Sequence, residues 1–177
     1  MKPGGLVLAI DCGNSRLKWG VCAPDQESAE GVMVWLAQGS MEVSGIARLA
    51  DLWTFQAEPD AIVISNVAGP GIAELITRGL AHWSAVPQWI RSREAQCGVI
   101  NGYADPSRLG VDRWAALVGA RALNPGDCLV VMAGTATTVD VLTREGIAEV
   151  ERAIDGCEQW ASVGELAVLL KRFQKIK

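Results

Sequence analysis

Apolar and polar positions alternate between two periods along this chain. A continuous apolar run at residues 6–10 (LVLAI) breaks at Gly13-Asn14-Ser15-Arg16, and an extended pattern resumes at 17–21. Apolar runs on both sides of small turn residues predict a β-hairpin. A polar connection at 24–31 (PDQESAEG) leads to a possible third strand at 32–36. Ile46, Leu49, Ala50 and Trp53 then recur at helical spacing after Ser44, a candidate N-cap. Residues 61–67 (AIVISNV) are rich in β-branched side chains and predict a buried strand. Pro70 suits the first turn of a helix carrying Ile72, Leu75, Ile76 and Leu80. Residues 88–90 predict a short strand, and 97–110 read mostly as loop. From Val111, the spacing of Trp114, Leu117, Val118 and Ala122 predicts a helix ending before Asn124-Pro125-Gly126, which reads as a domain joint.

Beyond the joint the opening pattern returns. Residues 128–133 are apolar, Gly134-Thr135-Ala136-Thr137 is turn-like, and 139–142 are apolar again. Laying LVLAIDCGNSRLKWGV over CLVVMAGTATTVDVL, with Gly13 on Gly134, aligns strand, turn and strand and suggests an internal duplication. Residues 149–171 show helical spacing through Ile154, Leu166, Val168, Leu169 and Leu170, ahead of a basic, solvated tail. The pattern predicts an α/β chain with a first lobe at 1–125 and a partial second lobe at 126–177.

Composition narrows the function. Half of the 177 residues are apolar and 20% are charged, the balance of a chain with a buried core. A net charge of -4 without a basic run argues against a nucleic-acid partner. The apolar start is too short for a signal-peptide core or a membrane span, so a cytoplasmic protein without membrane contact is expected. Five cysteines without a CxxC pair and a single histidine, His82, argue against a zinc site. Cys12 has no histidine to activate it and reads as a packing residue.

Three segments could carry chemistry. Small residues in the turn Asp11-Cys12-Gly13-Asn14-Ser15 could aim backbone N–H groups and the Ser15 hydroxyl at phosphate oxygens. Asp11 could hold Mg2+ and Lys18 could neutralise phosphate charge, although the same pattern also describes an ordinary hairpin. Asp112 and Arg113 open the helix predicted from Val111. Asp112 could simply complement the helix dipole, or it could accept a hydroxyl proton while Arg113 binds an anionic substrate group. In GTATTVD, Thr135 could donate to a phosphate from the second lobe.

Together, AIDCGNSRLKWG, NGYADPSRLGVDRWAALVGA and GTATTVD resemble type III pantothenate kinase and the related Bvg accessory factor proteins. The resemblance runs from about Leu6 to Asp140. It implies an actin-like fold of ribonuclease H-like lobes, shared with acetate kinase, sugar kinases, heat-shock chaperone ATPases and actin. The activity it implies is ATP-dependent phosphorylation of pantothenate, the first step of coenzyme A synthesis, by a homodimer that uses Mg2+ and a monovalent cation, K+ or NH4+. By position, Asp11, Cys12, Gly13, Asn14, Ser15, Arg16, Leu17 and Lys18 would contact the ATP phosphates, joined by Thr135. Tyr103, Gly110, Val111, Asp112 and Arg113 would line the pantothenate site, with Asp112 as proton acceptor.

The sequence departs from the family pattern in three places. Met132 stands where the family carries an aspartate for the monovalent cation, which puts the K+ site in doubt. The glycine-rich GG…PG segment after Asp140 is absent, as are later elements of the second lobe. The piece EVERAIDGC resembles a later family helix, at whose start Glu149 replaces a substrate-touching threonine. Two alternatives stay open: a non-catalytic or regulatory relative that keeps the fold, and an ATPase or sugar kinase of the same superfamily.

Overall fold

The computed structural model describes residues 4–27, 33–53, 57–133 and 136–155. The chain divides into two compact units, Met1–Ile90 and Arg91–Lys177. In the first, β1 (Val7–Cys12), β2 (Arg16–Glu27) and β3 (Met33–Glu42) form an antiparallel meander. A 3-10 helix, Val43–Leu52, follows it. Strand β4 (Ala61–Asn66) then lies parallel to β1, helix α1 (Pro70–Gly79) crosses over, and β5 (Pro87–Trp89) lies parallel to β4. The sheet order is β3-β2-β1-β4-β5.

Strand alternation decides which residues make the core. Leu8, Ile10 and Cys12 of β1 share one face with their register partners Ile62 and Ile64 on β4 and Leu17 on β2. Against that face pack Ile46, Leu49 and Trp53 from the 3-10 segment and Ile76 and Leu80 from the α1 side. Each large apolar side chain so buried contributes roughly 1.5–3 kcal/mol. Pro70 starts α1 as expected, and the Asn66 side chain shapes the turn before it. Its Nδ2 donates to the Gly69 carbonyl at 3.0 Å, and its Oδ1 accepts from the Ala68 N–H at 3.0 Å.

The second unit contains β6 (Ala95–Gln96), β7 (Val99–Asn101), α2 (Val111–Leu123), β8 (Cys128–Ala133), β9 (Ala136–Leu142) and β10 (Ile147–Asp155), in sheet order β6-β7-β10-β9-β8. Strands β8, β9 and β10 form a second antiparallel meander, which echoes β1, β2 and β3. The echo stops there, because β10 pairs parallel with β7, whereas β1 pairs parallel with β4. Helix α2 packs on β7, β8 and β9 and buries Trp114 and Leu117, two positions its spacing marks as apolar.

Several expectations change. Asn124-Pro125-Gly126 is a turn inside the second unit, since pairing through β7 and packing through α2 tie residues 91–123 to the strands after it. The polar stretch expected to be a connection is strand as far as Glu27, and residues 28–32 lie outside the described ones. The segment after β3 is 3-10, with Glu42 and not Ser44 at its N-cap. Ile46, Leu49 and Leu52 recur every three residues, which suits a three-residue turn. The helix expected from Glu149 is overturned as far as Asp155, where β10 draws its backbone partners from β9 and, at its start, β7. Tertiary pairing here outweighs a helical spacing carried by few apolar residues. Glu149 therefore does not open a helix, and residues 156–171 lie outside the described ones.

Gly146 closes the β9–β10 turn at φ +88, its N–H donating to the Thr143 carbonyl at 2.9 Å. A Cβ there would collide with the Gly98 carbonyl oxygen. Gly146→Ala is expected to lower stability by on the order of 1–3 kcal/mol, read from urea unfolding curves.

Candidate active site

The two groups of candidate residues lie one in each unit. In the first, β1 and β2 pair with Asp11 opposite Lys18 and Cys12 opposite Leu17. The connecting turn is closed by the Gly13 N–H, which donates to the Arg16 carbonyl at 3.0 Å and is thereby spent within the hairpin. Neighbouring elements hold the turn from both sides, through Val43 N–H to the Ser15 carbonyl and Val67 N–H to the Cys12 carbonyl, each at 3.0 Å. Asn14, Ser15, Arg16 and Lys18 are exposed, and Arg16 donates to the Ser40 hydroxyl at 2.8 Å. Cys12 and Leu17 have their side chains in the hydrophobic core, so only their main-chain atoms could reach a ligand.

Burial, with the neighbouring Asp11 adding to it, pushes the Cys12 thiol up to about 11. It is a neutral thiol at physiological pH, in keeping with the packing role read from the sequence. Asp11 is half-buried, and its Oδ1 is enclosed without a hydrogen-bond partner. A hard carboxylate oxygen in that state fits an Mg2+ ion or a water bound to it.

In the second unit, α2 begins at Val111 behind Gly110. Asp112, in the first turn, accepts the Arg113 N–H at 2.8 Å through Oδ1. A Cβ on Gly110 would lie 2.6 Å from that oxygen, so the glycine makes the room the carboxylate occupies. Arg113 is bidentate on Asp140 of β9, with Nε donating at 3.1 Å and an Nη at 2.5 Å, and Asp140 is fully buried. Burial opposes the Arg113 charge, but Asp140 and the Tyr103 side chain more than offset it and leave the guanidinium above its ordinary value. Burial pushes the Asp140 carboxyl up, Arg113 pulls it back and nearby Asp112 adds to the rise. The forked geometry decides for the ionised pair.

Asn101, itself buried, positions Tyr103 by accepting its N–H at 3.0 Å and donating to the Pro106 carbonyl at 3.2 Å. Tyr103, Gly110, Asp112 and Arg113 are thus gathered around one helix start. Asp140, not singled out by sequence, joins them, and the signal for it was a lone acid between Val139 and Val141 in the third motif. Gly134 and Thr135 lie outside the described residues. A hollow of about 790 Å³ on this unit, lined by Ser92, Arg93, Glu94 and Asp105 among others, includes neither Tyr103 nor residues 110–113.

Met132 of β8 offers a thioether, a soft donor that does not suit K+. Among the described residues no group of three or more His, Cys, Asp or Glu side chains could hold a metal ion. None of their helices is long and apolar enough to cross a membrane.

Two outcomes are expected. Asp140→Asn leaves the Arg113 charge buried without its carboxylate and should cost about 3–5 kcal/mol in urea unfolding, while the apolar double replacement Arg113→Met with Asp140→Leu should recover most of it. Iodoacetamide at neutral pH should label exposed Cys97 and spare buried Cys12 until the protein unfolds, read by peptide mass.

A family model described as Type III pantothenate kinase matches residues 7–149. The type III pantothenate kinase of Aromatoleum aromaticum is 44% identical over 141 residues, covering 80% of this chain and 55% of that protein. That of Nitrosospira multiformis is 46% identical over 141 residues, covering 80% and 51%. The chain thus spans about half the length of the curated relatives it matches. Among solved structures, the ethanolamine utilization protein EutJ from Carboxydothermus hydrogenoformans is similar at a TM-score of 0.49 and 15% identity, covering 99% of this chain and 62% of that one. That likeness is too loose to argue from, and the family match alone carries the actin-like α/β fold. With the hairpin, the helix start and β9 all inside the matched span, this chain belongs to the type III pantothenate kinase family.

Proposed function

We propose that this chain takes part in ATP-dependent phosphorylation of pantothenate to 4'-phosphopantothenate, the first step of coenzyme A synthesis. The observation that carries the reading is Asp112, a carboxylate held at the start of α2 by the Arg113 N–H in space that Gly110 leaves open. Phosphoryl transfer to an alcohol asks little covalent chemistry of the protein. It asks for aligned reactants, compensation of phosphate charge and an acceptor for the hydroxyl proton.

Asp112 supplies the acceptor. Its Oδ1 is already fixed by one hydrogen bond, so the carboxylate meets the pantothenate hydroxyl without first losing rotational freedom. Tyr103, Gly110, Val111 and Arg113 would line the acceptor site, and the Asp140 pair keeps Arg113 from wandering. On the donor side, the hairpin Asp11 to Lys18 would bind the ATP phosphates. Lys18 neutralises charge, the exposed turn residues contribute donors, and Asp11 would hold Mg2+, which when bound screens the phosphate oxygens. Thr135 would contribute from the second lobe. No step is assigned to K+, because Met132 does not fit it.

Cytoplasmic location and a homodimer belong to the same proposal. The exposed run Val34, Trp35 and Leu36 on edge strand β3 supports self-association.

Asp112→Asn should lower pantothenate-dependent ADP release by at least about a hundredfold while leaving the ADP-induced rise in melting temperature intact. ADP release indifferent to pantothenate in the parent chain would point to another acceptor and overturn the assignment.

A further inference from the structure

One row of side chains crosses the first sheet in strict register. Ser40 on β3 is the partner of Lys18 on β2, Lys18 of Asp11 on β1, and Asp11 of Ser65 on β4. Register partners present their side chains on the same face. Alternation puts this row on the face opposite Leu8, Ile10 and Cys12, so four polar groups (hydroxyl, ammonium, carboxylate, hydroxyl) stand side by side on the sheet.

Ser65 is the unexplained member. It is only 4% exposed, and its Oγ has no hydrogen-bond partner, just as its neighbour's Oδ1 has none. Leaving one buried hydroxyl unpaired is costly, and leaving a carboxylate oxygen so is costlier. Two such atoms on adjacent strands, in the same register, can be satisfied together by one shared ligand. A carboxylate only accepts, whereas a hydroxyl both donates and accepts, so the ligand must bring hydrogens or positive charge. A water bound to a divalent cation does so. The location agrees, since Asp11 and Ser65 lie at the carboxyl ends of two parallel strands, where open α/β sheets take their ligands. Lys18 stands next in the row, ready for an anion that arrives with the cation.

We propose that Ser65 is a further residue of the phosphate site, its hydroxyl and the Asp11 carboxylate together holding a water of the divalent cation that accompanies the nucleotide phosphates. The proposal rests on reading the hairpin as that site. It makes Ser65 a positioning residue that keeps the Asp11 carboxylate and the cation's hydration shell in one arrangement.

The test is titration of the whole chain with Mn2+ in the presence of ADP, followed by electron paramagnetic resonance of the free ion. Ser65→Ala should weaken Mn2+ binding about tenfold or more, and Ser65→Thr, which keeps the hydroxyl, should restore it. The melting temperature of Ser65→Ala should not fall, because an unpaired buried hydroxyl is removed. Should that variant fold poorly, Ser65→Cys, with only a weak donor, takes its place under the same expectation. Mn2+ bound by Ser65→Ala as tightly as by the parent, or a loss that Ser65→Thr does not restore, overturns the proposal. A parent chain that binds no Mn2+ with ADP overturns the reading of the hairpin, and the proposal falls with it. That result is distinct from a parent that binds and a Ser65→Ala variant that binds equally well.

Discussion

Strand β1 has two faces, and one register distributes its six residues between them. Antiparallel pairing with β2 and parallel pairing with β4 fix that register from both sides. Leu8, Ile10 and Cys12 go to the core, and Asp11 goes to the opposite face beside Lys18 and Ser65. A slip of one residue would bury the carboxylate among Ile64, Ile76 and Trp53 and expose the core set. Core stability and the polar row on the opposite face are therefore specified by the same pairing. The apolar alternation that folds the strand also places the charge.

The second unit solves its electrostatics differently. Its buried acid, Asp140, meets a guanidinium in a forked pair that links β9 to the first turn of α2. A buried ion pair of this kind gives little net stability, because desolvation offsets most of the attraction. It does exclude other packings, since any shift of α2 along the sheet would strand both charges. Asp112 inherits that precision through its bond to the Arg113 backbone. The first unit thus leaves Asp11 Oδ1 and Ser65 Oγ unsatisfied at the carboxyl ends of two central strands, and the second pairs its buried acid and presents a fixed carboxylate.

Much of this was legible in the sequence. The hairpin, the Pro70 helix and α2 all announced themselves through apolar period and punctuation, and Ile76, Trp114 and Leu117, which the spacing marks, are buried. The grouping of Gly110, Asp112 and Arg113 was legible because these residues are contiguous around a helix start. What stayed hidden depended on distant partners. Asp140 looks like any strand residue until α2 brings Arg113 to it. Ser65 is one more small residue in a β-branched strand until β1 sets Asp11 beside it. From Glu149 to Asp155 the spacing fits a helix, while β9 and β7 offer strand edges that no local pattern reveals. The joint at 124–126 was misplaced for the same reason, as proline and glycine mark a turn without saying what lies on either side.

The parallel pairing of β10 with β7 has a consequence for the order of events in folding. The two strands lie on opposite sides of α2, β8 and β9 in the chain, so β7 has no strand partner but the short β6 until β10 arrives. Closing so long a loop delays the contact. The meander of the first unit needs only local turns and can form while later residues are still leaving the ribosome. During synthesis, the residues that carry Asn101 and Tyr103 would wait for a strand made well after them. Among the described residues, the segment from Asn101 to Tyr103 would be late to become ordered.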